Sequence, residues 1–133
     1  MKPTWVPKSV VLAIHEYQIA EHGGARGLLS DDLLESSLAA PRQLLAYGDP
    51  DLCALAARCA ASLTQNHPFP DGNKRVAFVV AGVFLELNGL RLDAPEVEAA
   101  TTMLALAAGT LDEPGYAQWL RDHAGRTPRR KRK

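Results

Sequence analysis

A run of nine residues near the middle of the chain contains most of its chemically capable side chains. It reads His67-Pro68-Phe69-Pro70-Asp71-Gly72-Asn73-Lys74-Arg75. The apolar stretch from Val76 to Leu87 follows directly, so the glycine lies where a loop becomes a helix. The first amides of a helix have no intrahelical partner and lie at the positive end of the helix dipole. The run therefore predicts an anion site of the kind that binds phosphate.

Each polar residue around this helix start suits a phosphate ligand. Gly72 lacks a Cβ, so phosphate can approach the main chain there and at Asn73. Arg75 offers a planar fork for two phosphate oxygens, whereas Lys74 offers a compact point charge. Asp71 precedes the anion site and is placed to bind Mg²⁺, which proteins hold through one or two carboxylates together with the phosphates themselves.

The histidine at the start of the run is the predicted general base. Histidine is the side chain best suited to exchange protons at physiological pH, so His67 can take a proton from a hydroxyl that attacks phosphorus. Phe69 is expected to bury its ring beneath the loop, between prolines that stiffen the turn. Taken singly, these residues also fit a loop histidine, an Asp-Gly turn and a solvated Lys-Arg pair. The general base, the metal ligand, the helix start and the pair of cations occur at spacings that converge on one phosphate. This combination favours a catalytic site over the separate interpretations.

Helical periodicity dominates the rest of the chain and predicts an all-α, single-domain fold. The helix after the run, about residues 73–88, is apolar nearly all round and is expected to be the buried centre of a helical bundle. A short strand or hairpin is allowed for at Thr4 to Pro7 or at Pro41 to Pro50, and the second segment is also where a protein target is expected to dock. The predicted helices span residues 8–22, Ser30 to Pro41, about 51–66, 73–88, Pro95 to Ala108 and 114–123.

Composition is that of a globular protein, with 133 residues, 47% hydrophobic and 23% charged. Residues 1–125 are predicted to form the folded domain. Residues 126–133 carry six cations and no acid, which predicts a disordered basic tail, and nucleic-acid contact through it is the less favoured interpretation. The longest apolar run is too short for a bilayer and the first residues lack a secretory signal, so a cytoplasmic protein without membrane contact is expected.

Two other groups of residues are interpreted as structural and not as catalytic or metal-binding. Cys53 and Cys59 lie six apart on one predicted helix, which fits neither a local disulfide nor metal spacing, so buried free thiols are expected. His15 and His22 lie seven apart instead of the four of a zinc-hydrolase motif. His15 and Glu16 are therefore interpreted as packing and hydrogen-bonding residues of the first helix.

The nine-residue run also resembles the signature of the Fic/Doc proteins, His-Pro-Phe-x-(Asp/Glu)-Gly-Asn-x-Arg. The resemblance covers about residues 10 to 123 and is closest to the Doc (death-on-curing) branch, in Ile14-His15-Glu16, His22-Gly23-Gly24 and Phe84 to Gly89 among others. It implies a Fic-type helical bundle. It also implies that His67 is the general base and Asp71 the metal ligand. The implied phosphate cradle consists of Gly72, Asn73, Lys74 and Arg75.

The Doc branch implies a toxin that transfers the γ-phosphate of ATP, with Mg²⁺, to a hydroxyl of a protein, by resemblance elongation factor Tu, and so arrests translation. Lys74 favours this branch, because AMP-transferring members commonly have glycine there. Gly72, where some Doc toxins have alanine, keeps a Fic-type AMP transferase as one alternative, and a catalytically silent binding module is another. No glutamate precedes Gly or Asn, as the self-restraining helix of many Fic proteins requires. The resemblance therefore implies a separate antitoxin of the Phd type, lying across helices near the active groove.

Overall fold

The computed structural model describes residues 1–126, which form six helices and one two-stranded antiparallel ribbon. The all-α prediction is thus confirmed. Of the predicted basic tail, Arg126 is the last residue of a strand and the rest lies outside the described residues. The elements in chain order are α1 (Lys8–His22), α2 (Asp31–Tyr47), α3 (Leu52–Asn66), α4 (Asn73–Leu87), β1 (Leu90–Leu92), α5 (Glu96–Ala108), α6 (Glu113–His123) and β2 (Ala124–Arg126).

Helix α2 extends beyond its predicted end. Pro41 was expected to close it, but the helix continues to Tyr47 with Pro41 buried inside. A proline in a helix interior removes one hydrogen bond and normally costs about 3 kcal/mol. Here Leu44 and Leu45, one turn further on, pack against the core, and this burial offsets the cost. The segment from Pro41 to Pro50, expected to be a loop, is therefore mostly helix, whereas docking of a protein target there stays a prediction.

The predicted position of the strands is also wrong. Neither Thr4 to Pro7 nor Pro41 to Pro50 contains a strand, whereas β1 pairs with β2 through Leu90 and Arg126 at one end and Leu92 and Ala124 at the other. The partners are more than 30 residues apart in the chain, so no local turn pattern marks the pair. Each strand has only three residues, too few for the alternation that identifies a strand from sequence.

The core forms where α3 and α4 pack together. One face of each helix is buried, and the alanines of α3 let α4 approach closely. On α4 the buried apolar side chains are Val76, Ala77, Val80, Ala81, Phe84 and Leu85, and on α3 the fully or almost fully buried alanines are Ala56, Ala57, Ala60 and Ala61. The prediction that α4 lies at the centre is confirmed. The two ends of α4 have different surroundings.

The C-terminal end of α4 is covered by the chain's first residues. The side chain of Asn88 accepts from the Thr4 amide at 2.7 Å and donates to the Thr4 carbonyl at 2.9 Å. Trp5 stacks on Phe84 with 5.5 Å between ring centroids, and the guanidinium of Arg42 lies 5.1 Å from the Trp5 ring. Among residues 1–126 nothing covers the N-terminal end of α4 in this way, and it is where the nine-residue run ends.

Two further predictions concern the thiols and the membrane. Cys53 and Cys59 are buried and unbridged, as expected, and burial raises the pKa of the Cys59 thiol to about 12. At neutral pH that thiol is therefore not a nucleophile. Among the described residues, no helix is both long enough and apolar enough to cross a bilayer.

Candidate functional site

The loop from His67 to Gly72 connects α3 to α4 and carries backbone strain at its first residue. His67 ends α3 in the left-handed conformation, with φ of 48° and ψ of 58°. Among the described residues it alone combines a positive φ with a side chain. Such a conformation costs on the order of 1–3 kcal/mol and is typically retained where function requires it. The imidazole is exposed on the protein surface.

Asn73 holds this loop in shape. Its Oδ1 accepts from the amide of Phe69 at 3.1 Å and its Nδ2 donates to the carbonyl of the same residue at 2.9 Å. The Phe69 ring is only 1% exposed, as predicted, and the Asn73 side chain is itself buried. The amide side chain of Asn73 is thus committed to the loop, and the group it can offer to phosphate is its backbone N–H.

The contact between Asn73 and His67 determines the resting tautomer of the imidazole. Nδ2 of Asn73 lies 3.3 Å from Nδ1 of His67. An amide nitrogen can only donate, so Nδ1 accepts and the hydrogen of the neutral ring is on Nε2. A base acting through Nε2 needs the other tautomer. A half-turn of the exposed His67 ring about Cβ–Cγ would break the long contact with Asn73 and leave Nδ1 free to carry the hydrogen. Such a change is compatible with catalysis, because catalytic hydrogen bonds often align only when substrate is bound.

The start of α4 leaves several amides available. Gly72 occupies the N-cap position with φ of 82° and provides no side-chain cap. The first helical bond runs from the Val76 amide to the Gly72 carbonyl at 2.9 Å. The amides of Asn73, Lys74 and Arg75 find no acceptor among the described residues, as expected for the first turn of a helix without a cap. These three donors and the helix dipole are chemically suited to hold an anion.

The two cations of this turn are also uncommitted. Lys74 and Arg75 are exposed, and neither forms an ion pair within residues 1–126. The first turn of α4 contains no acid. A cationic first turn is unfavourable next to the positive end of the helix dipole. An anionic ligand at this position would relieve the repulsion between the dipole and the two side chains.

Asp71 fits a role as metal ligand. Its carboxylate is exposed, and Oδ2 accepts from the amide of Ala25 at 2.7 Å. In the described part of the chain Oδ1 has no hydrogen-bond partner, so it remains available to a cation. No group of three or more His, Cys, Asp or Glu side chains gathers anywhere in residues 1–126. A cation here would therefore take most of its ligands from phosphate and water, which is how proteins commonly bind Mg²⁺.

Helix α1 supports the loop from beneath. His15 is 3% exposed, which confirms its packing role, but sequence reasoning missed that it packs on the motif itself. Its ring stacks on Phe69 with centroids 3.9 Å apart and an interplanar angle of 9°. Its Nε2 lies 3.0 Å from the carbonyl oxygen of Asp71. The one signal that pointed to it was the Ile14-His15-Glu16 segment of the resemblance.

A second loop, between α1 and α2, flanks the motif. The amides of Leu29 and Ser30 both donate to the carbonyl of Pro68, at 2.8 and 3.1 Å. Between this loop and α1 lies a groove of about 440 Å³, whose lining includes Leu12, Ile19, Leu28 and Phe69 along with the polar residues His15, Glu16 and Arg26. Within the described chain neither Glu16 nor Arg26 forms an ion pair. The groove therefore has an apolar floor and one unpaired charge of each sign.

The chain is similar to known proteins of one family. A model of the Fic/DOC family matches residues 5–85. Over 113 residues the chain is 29% identical to a protein of Escherichia phage P1 named "Protein kinase doc". The aligned residues cover 84% of this chain and 88% of that protein. Over 75 residues it is 40% identical to "Toxin Doc" of Mycolicibacterium smegmatis, covering 54% of this chain and 57% of that protein. The family match contains the whole site from His15 to Arg75.

Proposed function

This chain belongs to the Fic/DOC family, and on that premise we propose that it is a Doc-like toxin that transfers the γ-phosphate of ATP to a hydroxyl group of a protein. The observation that carries the proposal is the start of α4. There an exposed imidazole, an exposed carboxylate and two exposed cations lie next to backbone amides, and within residues 1–126 neither the cations nor the amides have a partner. The name of the phage P1 relative supports a kinase in particular.

The residues divide the transfer step between them. His67 takes the proton of the attacking hydroxyl as its oxygen bonds to the γ-phosphorus, and a base of this kind typically contributes ~10² to 10⁴ in rate. The bond between that phosphorus and the oxygen bridging to the β-phosphate breaks, and its electron pair leaves with ADP. The amides and cations of the first turn stabilise the charge on the phosphoryl oxygens.

Asp71 is the residue that would hold Mg²⁺ in this scheme. When bound, the ion neutralises charge on the phosphates. The carboxylate already has one oxygen fixed by the Ala25 amide, so its orientation is set before a cation arrives. Such preorganisation lowers the entropy lost on binding.

Two residues bear on the choice between phosphate and AMP transfer. Lys74 projects a charged side chain at the second position of the helix, where AMP-transferring members of the family commonly leave space. Gly72 was an argument for AMP transfer, but its φ of 82° requires a residue that tolerates the left-handed region whatever the nucleotide does. The glycine is thus explained by the backbone, and phosphate transfer is the favoured reaction.

We further propose that the groove beside α1 receives a segment of a Phd-type antitoxin. A toxin requires a restraint, and one relative is named a toxin. The groove lies against Phe69 and His15, directly beneath the motif, so a segment bound there reaches the phosphate site. Its apolar floor, together with Glu16 and Arg26, which form no ion pair within residues 1–126, suits an amphipathic segment with charges of both signs.

Elongation factor Tu is the proposed target, and arrest of translation in the cytoplasm is the proposed effect. The test uses the purified protein with Mg²⁺, elongation factor Tu and ATP labelled at either the α or the γ phosphate. Label transferred from the γ position alone supports the kinase. Label transferred from the α position alone would establish an AMP transferase instead. No label from either position, with elongation factor Tu or with a bacterial lysate as the acceptor, would favour a catalytically silent binding module.

A matched pair of variants accompanies this assay. His67→Ala must remove the signal, because it removes the proposed base. His22→Ala changes an exposed histidine at the end of α1 and must leave the signal intact. Labelling that persists in His67→Ala would contradict the assignment of the base.

A further inference from the structure

His15 contacts the nine-residue run more directly than a packing role requires. Its partner, the Asp71 carbonyl oxygen, can only accept a hydrogen bond, so Nε2 of His15 carries the hydrogen. Nδ1 is then the acceptor nitrogen of the neutral ring. The same ring lies flat against Phe69. One buried side chain of α1 thus holds both the aromatic ring and a backbone carbonyl of the loop.

The carbonyl that His15 holds belongs to the peptide group that leads into the anion site. The Asp71 carbonyl and the Gly72 N–H are parts of one planar peptide, and in the trans form they point in opposite directions. The described residues contain no cis peptide bond. Because His15 draws the carbonyl toward the buried face of α1, the Gly72 N–H points away from it. That N–H has no acceptor within residues 1–126.

We propose that His15 is a positioning residue of the phosphate site, which orients the Asp71–Gly72 peptide so that the Gly72 N–H becomes a further donor to phosphate. The site then has four consecutive amides, from Gly72 to Arg75. The identity of the ligand as ATP rests on the proposed function, but the geometry concerns any phosphate. His15 itself touches neither nucleotide nor substrate.

Space around Gly72 agrees with this role. A Cβ at Gly72 would lie 3.4 Å from Cδ1 of Ile19 and 3.8 Å from Cδ2 of His15. Side chains of α1 thus lie close to the Gly72 Cα, beside the hydrogen bond from His15 to the Asp71 carbonyl. A rotation of the peptide would have to break that hydrogen bond. The orientation of the Gly72 N–H is therefore fixed before a ligand binds, as preorganised sites require.

Three variants separate positioning from packing. His15→Phe keeps a ring against Phe69 but has no donor. His15→Gln has no ring but can place its amide nitrogen near the position of Nε2. His22→Phe makes the same change as the first variant at an exposed position of the same helix. Each is compared with wild type for binding of pyrophosphate and of adenosine, and for the resonance of the Gly72 amide.

His15→Phe is expected to weaken pyrophosphate binding about tenfold, the usual effect of one hydrogen bond to a charged group, and to shift the Gly72 amide resonance. His15→Gln is expected to restore most of that affinity. Adenosine binding should change in neither, because adenosine has no phosphate. His22→Phe should behave as wild type in every measurement.

Any of four results would overturn the inference, the last of them being that wild type binds no pyrophosphate. One is pyrophosphate affinity unchanged in His15→Phe. The second is an equal loss in His15→Phe and His15→Gln, which would indicate packing alone. The third, which needs no variant, is a nitrogen NMR spectrum of wild type that places the ring hydrogen of His15 on Nδ1. If wild type binds pyrophosphate with these dependences yet transfers no phosphate, the proposed function fails and the inference stands; if wild type binds no pyrophosphate, the inference fails.

Discussion

The starts of α3 and α4 show two opposite ways to treat a helix N-terminus. At α3 the Asp51 carboxylate accepts from the Ala54 amide at 2.8 Å and also pairs with Arg121, at 2.6 and 3.0 Å. At α4 the cap is Gly72, no side chain closes the turn, and the first turn is cationic. The two helices pack against each other in one core. The chain thus satisfies one helix start with its own anion and leaves the other for an anion from outside.

The remaining helix starts support the distinction. Ser30 caps α2 through the Leu33 amide, and Asp112 caps α6 through the Gly115 amide. Helix α5 has no side-chain cap but carries two acids in its first turn. Helix α1 also lacks both a side-chain cap and an acid in its first turn, but its one cation, Lys8, pairs with Asp31 and Glu35. Within the described residues, only α4 places two cations without such partners in its first turn. Stability alone would favour the opposite choice, so the arrangement is best explained by a ligand.

Arg75→Glu is expected to have the largest effect, because it gives α4 an acidic first turn like that of α2. We expect ATP binding to fall on the order of a hundredfold, since a bidentate cation is replaced by a like charge. Stability should rise by about 0.3–1 kcal/mol, because an acid suits the dipole at this end. Calorimetric titration and urea denaturation measure the two effects. If the variant binds ATP with the affinity of wild type, Arg75 does not belong to the phosphate site.

Asp51→Ala should have the converse effect at α3. Loss of the cap is expected to cost about 1–2 kcal/mol of stability and to leave ATP binding unchanged. Asp112→Ala is the matched control, because it removes a cap of the same kind at α6. Urea denaturation of both variants gives the values. ATP affinity lost along with the cap would show that the two helix starts are not independent.

The smallest expected effect is in the pH dependence of stability. Arg121 holds the pKa of Asp51 below its ordinary value of 3.8. The ion pair therefore contributes fully above that pH, and its contribution is lost as pH falls through the lower folded value. The stability difference between wild type and Asp51→Asn, from denaturation at a series of pH values, should shrink as pH is lowered below about 4. A difference that grows on acidification would contradict the role of Arg121.

The sequence predicted those parts of the molecule that local chemistry determines. The end of α1 at residue 22 and the starts of α2 and α3 near Ser30 and Asp51 were predicted correctly, because the signals that start and stop a helix act within one turn. The nine-residue run could be identified from sequence because all its residues are contiguous in the chain. The end of α2 was not, since burial of residues beyond Pro41 outweighs the proline. The role of His15 was not either, because its contact with Asp71 spans 56 positions of the chain.

The central claim, that the start of α4 binds the phosphates of a nucleotide, is tested most directly by following backbone amide resonances while ATP and Mg²⁺ are added to the wild-type protein. We expect the largest shifts at Gly72, Asn73, Lys74 and Arg75, and none at Ala54, whose amide is already bonded to Asp51 at the start of α3. Shifts confined to other parts of the protein, or equal at both helix starts, would contradict the account.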